Sequence, residues 1–155
     1  MSGHVLSIDI GSTNFGYARW TPSRGFYDFG VINLKNEEGD MPTRIYKLWT
    51  KGFFDNALHI LVERQMRAKF KEAVVAIRCL GENFSKTKVI APQSVKRHFS
   101  TTKLNHRKNK LAHVELAQTF LSEQELQRLK ALKKKDDVCD SVVQLMYFVQ
   151  KNGLN

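Results

Sequence analysis

A carboxylate stands inside the first apolar run of this chain. Residues 4–10 read HVLSIDI, with Val5, Leu6, Ile8 and Ile10 as strand formers and Asp9 among them. A strand entering a core keeps an acid only where a positive partner meets it, because burying an unpaired charge costs several kcal/mol or more. The competing structural reading is an alternation that buries Leu6, Ile8 and Ile10 and turns Ser7 and Asp9 to solvent.

The chain around Asp9 reads as a sheet built in two halves. A small polar turn, Gly11–Asn14, leads into a second strand-like run over 15–20. Thr21-Pro22-Ser23-Arg24-Gly25 has hairpin-turn chemistry, and a third strand is expected over 26–34. These three strands form an antiparallel meander. After a polar loop, Pro42 suits a helix start, with Ile45, Leu48, Trp49 and Phe53 at helical spacing. Tyr46, Trp49 and Trp20 are assigned to packing.

The segment 57–64, ALHILVER, predicts a buried fourth strand that ends on a second acid, Glu63. A helix is expected over 66–80 and a short fifth strand over 88–91. Strand, helix and strand in that order make a parallel pair with a right-handed crossover. Beyond lie a short helix at 94–99, a polar, basic, poorly patterned stretch at 100–110, and a helix starting near Leu111. Ser122–Glu125 is a capping-box pattern, and a final helix is expected over 133–149. The fold class is α/β, a mixed five-stranded sheet of antiparallel meander plus parallel strands, flanked by helices. One domain over residues 1–155 is expected, since 155 residues at 42% hydrophobic content build one core comfortably.

Two further acids lie in the last helix, Asp137 and Asp140 of LKKKDDVCDSV. Their i, i+3 spacing puts both on one face, where two like charges repel unless a cation lies between them. With the first and fourth strands as neighbours, Asp9 and Glu63 come close and the last helix brings the other pair over the sheet edge. Four hard oxygen donors suit Mg²⁺ or Mn²⁺. Two such ions about 4 Å apart clamp the attacking and leaving oxygens of a phosphodiester displacement. Each acid taken singly has a structural explanation. Asp136 and Asp137 complement the helix dipole, Asp140 pairs with Lys133 or Lys134, and Glu63 with Arg64 or Arg67.

The charge supplies the substrate class. Twenty-five Lys and Arg against fifteen Asp and Glu give +10, which favours nucleic acid. The excess is uneven: residues 96–135 hold eleven Lys and Arg and three acids, just ahead of Asp137. Within it Lys103, Arg107, Lys108, Lys110, Lys133, Lys134 and Lys135 are the candidate DNA contacts. No apolar run approaches the ~20 residues that span a bilayer, and no secretory signal opens the chain, so an intracellular protein with no membrane partner is expected. Cys79 and Cys139 lack zinc-site spacing and fit a reducing compartment.

Three motifs together, LSIDIGSTNFGYA, ILVERQ and KKDDVCDS, resemble the RuvC-type Holliday junction resolvases of the ribonuclease H-like superfamily, with the poxvirus-type resolvases of large DNA viruses nearest. The resemblance implies a homodimeric enzyme that cuts four-way DNA junctions with paired nicks, using Mg²⁺, two ions per active site, and no small-molecule cofactor. Carried over by motif, Asp9, Glu63, Asp137 and Asp140 are catalytic metal ligands. Asp136 is secondary, and Gln65 orients. The family's basic catalytic residues point to Lys103, Arg107, Lys108 or Lys110. Lys108 and Lys110, just before the expected helix, are favoured. The 66–80 helix, apolar on more than one stripe, is assigned to the dimer interface, and a viral source places the protein in an infected cell.

Three other readings compete. A related RuvC-fold nuclease would act on RNA or flap DNA. An actin- or sugar-kinase-like ATPase would use Asp9–Asn14 as a phosphate loop, but needs a second such domain. A non-catalytic nucleic-acid-binding module would not need four acids.

Overall fold

The computed structural model describes residues 3–154, so the expected domain span reaches past them at both ends. A five-stranded sheet has the order β3-β2-β1-β4-β5. Its strands are β1 (His4–Ile10), β2 (Asn14–Thr21), β3 (Gly25–Asn33), β4 (Ala57–Glu63) and β5 (Thr87–Ile90). β1 pairs antiparallel with β2 and parallel with β4, and β5 extends the parallel half. The meander, the parallel extension and the adjacency of the first and fourth strands follow the sequence reading.

The helices are α1 (Met41–Thr50), α2 (Ala68–Cys79), α3 (Asn83–Lys86), α4 (Pro92–His98), α5 (His106–Phe120), α6 (Glu123–Lys130) and α7 (Lys135–Lys151). Strand alternation divides them between two layers. Leu6, Ile8 and Ile10 of β1 face α1 and α2, where Ile45, Leu48, Ala73 and Ile77 close one core. Val5 of β1 and Leu61 of β4 face the other way, into a second core with Val138, Val142, Leu145 and Val149 of α7. α7 is buried almost all round because the sheet covers one side and α5 packs along another.

That burial answers the alternation question. Ser7 is fully buried, not turned to solvent. Its hydroxyl accepts a hydrogen bond from Gln144 Nε2 of α7 at 3.0 Å. Asp9, two residues on, shares this face and lies under α7.

The structure differs from the sequence reading in four places. Met66 precedes α2 rather than opening it and is 81% exposed. Tyr46 and Trp49 of α1, assigned to packing, are exposed and stack on each other at 5.8 Å. α1 buries Met41, Ile45 and Leu48 along one stripe, and these two rings fall outside it. α5 begins at His106, inside the stretch read as unpatterned. There Asn105 caps the helix by accepting from Lys108 N at 3.0 Å. The four-residue α3 has too short a pattern to read. The capping box is present as expected, with Glu125 N donating to Ser122 Oγ and Ser122 N to Glu125 Oε2.

Candidate metal and nucleic-acid site

Period two and the parallel register place the first two acids. Ile8 pairs with Val62 across β1 and β4, so Asp9 and Glu63 lie side by side near the ends of adjacent strands on the α7 face. The third and fourth come from α7. Its first turn is held against β2 by Ser141, whose hydroxyl donates to Gly16 O at 2.9 Å. Gly16 is the residue that permits this approach, since a Cβ there would lie 2.4 Å from the Asp137 carbonyl oxygen. Asp137 and Asp140 thus lean over the sheet edge where Asp9 and Glu63 end.

The electrostatics record their closeness. Burial raises the Asp9 carboxyl well above its ordinary value, and the charges of Asp140, Asp137 and Glu63 push it further. Glu63 is raised by burial and by Asp140, against the opposing pull of Lys96 and His113. Asp137 is raised by burial, then by Asp136 and Asp140. Three buried or half-buried carboxyls, all raised in part by the charge of Asp140, make a site whose missing charge is positive. The donor set, all carboxylate oxygen, fits a hard divalent cation. As the side chains lie, no three His, Cys, Asp or Glu among the described residues meet at metal-holding geometry. One of the four acids and its neighbour have other partners: Asp140 Oδ1 accepts from His113 Nδ1 at 2.8 Å, and Asp136 Oδ2 accepts from Lys110 Nζ at 3.2 Å.

These shifts fix the sign of a stability effect. A carboxyl raised in the folded state makes the fold bind more protons than the unfolded chain. Stability then falls as pH rises above the ordinary values of 3.8 for Asp9 and 4.5 for Glu63, towards their folded values. His4, lowered to about 4 by burial, acts oppositely below its ordinary 6.5. The comparison that isolates Asp9 is therefore wild type against Asp9→Asn. In chelator, urea unfolding from pH 5 to 7.5 is expected to show the variant gaining on wild type as pH rises, by at most ~1.4 kcal/mol per pH unit.

Glu63 and Asp140 open onto a cleft of about 340 Å³ whose other walls include Lys96, Lys110, His113 and Gln144. Of the two favoured lysines, the structure brings Lys110 to the acids. Lys108 lies ~200° around α5 at 100° per residue, and lines a separate hollow with Asn105, Arg107 and Leu111. The Asp136 bond raises Lys110 above its ordinary value, so it stays charged and suits holding a phosphate rather than accepting a proton. Lys103 lies exposed in the loop before α5, and Lys133, Lys134 and Lys135 lie exposed at the N-terminus of α7. Three cations at the positive end of a helix dipole gain nothing from the fold itself and form an anion-attracting rim.

Sequence reasoning missed His113 and did not single out Lys96. Asp140 pairs with His113, not with Lys133 or Lys134, and no ion pair joins Glu63 to Arg64 or Arg67 among the described residues. A signal was there: His106, Lys110 and His113 fall at i, i+4 and i+7, one stripe of a helix that Asn105 caps.

This sheet order, with acids at the ends of β1 and β4 and on the last helix, is the RuvC-like form of the ribonuclease H-like fold. The chain belongs to the family described as Poxvirus A22 protein, which it matches over residues 4–152. Among solved structures it is similar to the fowlpox virus resolvase in complex with substrate Holliday junction DNA. That likeness has 16% identity and a TM-score of 0.71, and covers 96% of this chain and 98% of that one. The fowlpox virus Holliday junction resolvase in a second structure gives 16% identity and a TM-score of 0.70, covering 96% and 99%. T. thermophilus RuvC in complex with Holliday junction substrate gives 15% and 0.63, covering 98% and 97%. At such identities the likeness establishes the fold. No curated protein sequence matches the chain significantly.

Proposed function

We propose that the protein is a Holliday junction resolvase, a metal-dependent endodeoxyribonuclease that resolves four-way DNA junctions by paired symmetric nicks. The observation that carries this reading is that Asp9, Glu63, Asp137 and Asp140, from three separate elements, lean toward one sheet edge within electrostatic reach of one another, beside a cleft walled by Lys96 and Lys110. The family and the fold agree with it.

Asp9, Glu63, Asp137 and Asp140 would hold Mg²⁺, or Mn²⁺ in its place, with two ions per site. Bound there, the metal supplies a water of lowered pKa and stabilises the departing 3′-oxygen. The chain's own groups do the rest. Lys110 and Lys96 hold the phosphate beside the acids, and Lys103, Arg107, Lys108 and Lys133–Lys135 hold the flanking backbone without reading bases. Residues 1–155 act as one nuclease domain in an infected cell; no helix described is long and apolar enough to cross a membrane.

Paired nicks need two sites, which a homodimer provides. α2 spends Ala73 and Ile77 on the core. Val75 stays 60% exposed and Phe84, stacked under Arg78 at 4.5 Å, 64% exposed. This outward face suits a second copy.

Purified protein offered four-way junction, flap, RNA–DNA hybrid and linear duplex side by side with Mg²⁺ is expected to nick the junction symmetrically and to leave linear duplex largely uncut. Preference for flap or hybrid would give the function to a related nuclease. ATP hydrolysis with no DNA cleavage would overturn the reading.

A further inference from the structure

We infer that His113 is a positioning residue for the Asp140 carboxylate: its imidazole holds one oxygen of that acid so that the other is presented to a divalent cation. The inference rests on the metal-binding reading of the four acids and names a fifth residue that this site needs.

The contact is specific. His113 Nδ1 lies 2.8 Å from Asp140 Oδ1, and α5 and α7 pack along each other over this stretch. With Asp140 ionised, the carboxylate accepts and Nδ1 donates, so one carboxylate oxygen is spoken for and Oδ2 is left for a ligand. Both side chains are partly withdrawn from water, at 16% and 34% exposure. The bond is therefore poorly replaced by solvent. Asp140 lies one turn from Asp137 and raises both Asp9 and Glu63, so its orientation bears on the whole set.

Packing does not explain the residue. The other ring nitrogen, Nε2, is buried without a hydrogen-bond partner among the described residues. A buried polar atom left unmade is a cost that a leucine at this position would not carry. Of the two nitrogens, only the one aimed at the acid is used. Groups that hold a ligating side chain by hydrogen bond fix its orientation, and their loss typically lowers metal affinity about 10- to 100-fold.

The other charged groups around the cleft do not duplicate this role. Lys110 is engaged with Asp136, and Lys96 bears on Glu63. Neither is bonded to Asp140 among the described residues.

The test is Mn²⁺ uptake by DNA-free protein, followed by the electron paramagnetic resonance of the free ion, for wild type, His113→Leu and His113→Asn. Asparagine places an amide N–H where Nδ1 stands, whereas leucine fills the volume without a donor. Thermal unfolding in chelator checks that each variant folds. The expected result is a loss of at least about tenfold in Mn²⁺ affinity for His113→Leu at undiminished stability, with most of it restored in His113→Asn. Folded His113→Leu that takes up Mn²⁺ as wild type does overturns the positioning role while leaving the metal site standing. Equal losses in both variants also overturn it, because the donor would then not be the cause. Wild type that takes up no Mn²⁺ overturns the metal reading and this inference together.

Discussion

Asp140→Asn protein is expected to bind a four-way junction about as well as wild type and to cut it on the order of 10³-fold more slowly. At 1.36 kcal/mol per decade that is ~4 kcal/mol of barrier, within reach of one lost ligand in a metal-assisted displacement. Asparagine keeps the shape and still accepts from His113, but carries no charge for a cation. Asp9→Asn should behave likewise in cleavage. It should also relieve the repulsion that Asp140, Asp137 and Glu63 impose on the buried Asp9 in the absence of metal. Binding survives because Lys103 and Lys133–Lys135 are exposed cations whose charge the substitution leaves in place. Gel-shift titration and single-turnover cleavage of one labelled junction separate the two quantities. Cleavage by Asp140→Asn at the wild-type rate would remove the carboxylate mechanism.

Gly16→Ala should damage the enzyme without touching a single functional side chain. The added methyl would stand 2.4 Å from the Asp137 carbonyl oxygen and 2.8 Å from its Cβ, distances that no carbon tolerates. Either α7 lifts off β2 or the strand moves. The Ser141 hydroxyl, which donates to Gly16 O at 2.9 Å, is displaced with it. Overpacking of this kind costs about 1–3 kcal/mol, and a displacement of about 1 Å at the catalytic groups can cost about 10²-fold in rate. Alanine at Gly30 provides the control, since the atoms nearest its Cβ would belong to the Tyr17 side chain, at 3.3 Å, rather than to backbone. Chemical denaturation and cleavage rates measured on both variants check this. A Gly16→Ala protein as stable and as active as wild type would mean that the first turn of α7 is not held against β2.

Much of the candidate site is legible in the sequence, for a reason of geometry. Asp9 and Glu63 each follow an apolar strand run at even spacing from a residue of the α7-facing core, Val5 in one case and Leu61 in the other. Period two then settles their face. Asp137 and Asp140 follow from helical spacing in the same way. The basic stretch shows itself through local charge, which needs no fold to count.

Other features depend on chain segments distant in sequence. Lys108 and Lys110 are alike to a reader of the polar stretch 100–110, and only the start of α5 at His106 turns one to the acids and the other away. His113 shares a helical stripe with His106 and Lys110, which by itself names no partner. It becomes significant when α5 packs on α7 and brings it to an acid 27 residues away. Tyr46 and Trp49 read as packing residues because aromatic rings in a helical pattern usually are, yet the apolar stripe of α1 is filled without them.

The sequence by itself determined the two-part sheet, the adjacency of the first and fourth strands, and the four acids with a cationic stretch before the last pair. Those are properties of period, turn chemistry and local charge, all carried within a few residues. The tertiary structure decided which lysine meets the acids, that His113 holds Asp140, and that Gly16 sets the distance between β2 and α7. Each of these depends on two elements approaching from far apart in the chain, and no local pattern encodes where they touch.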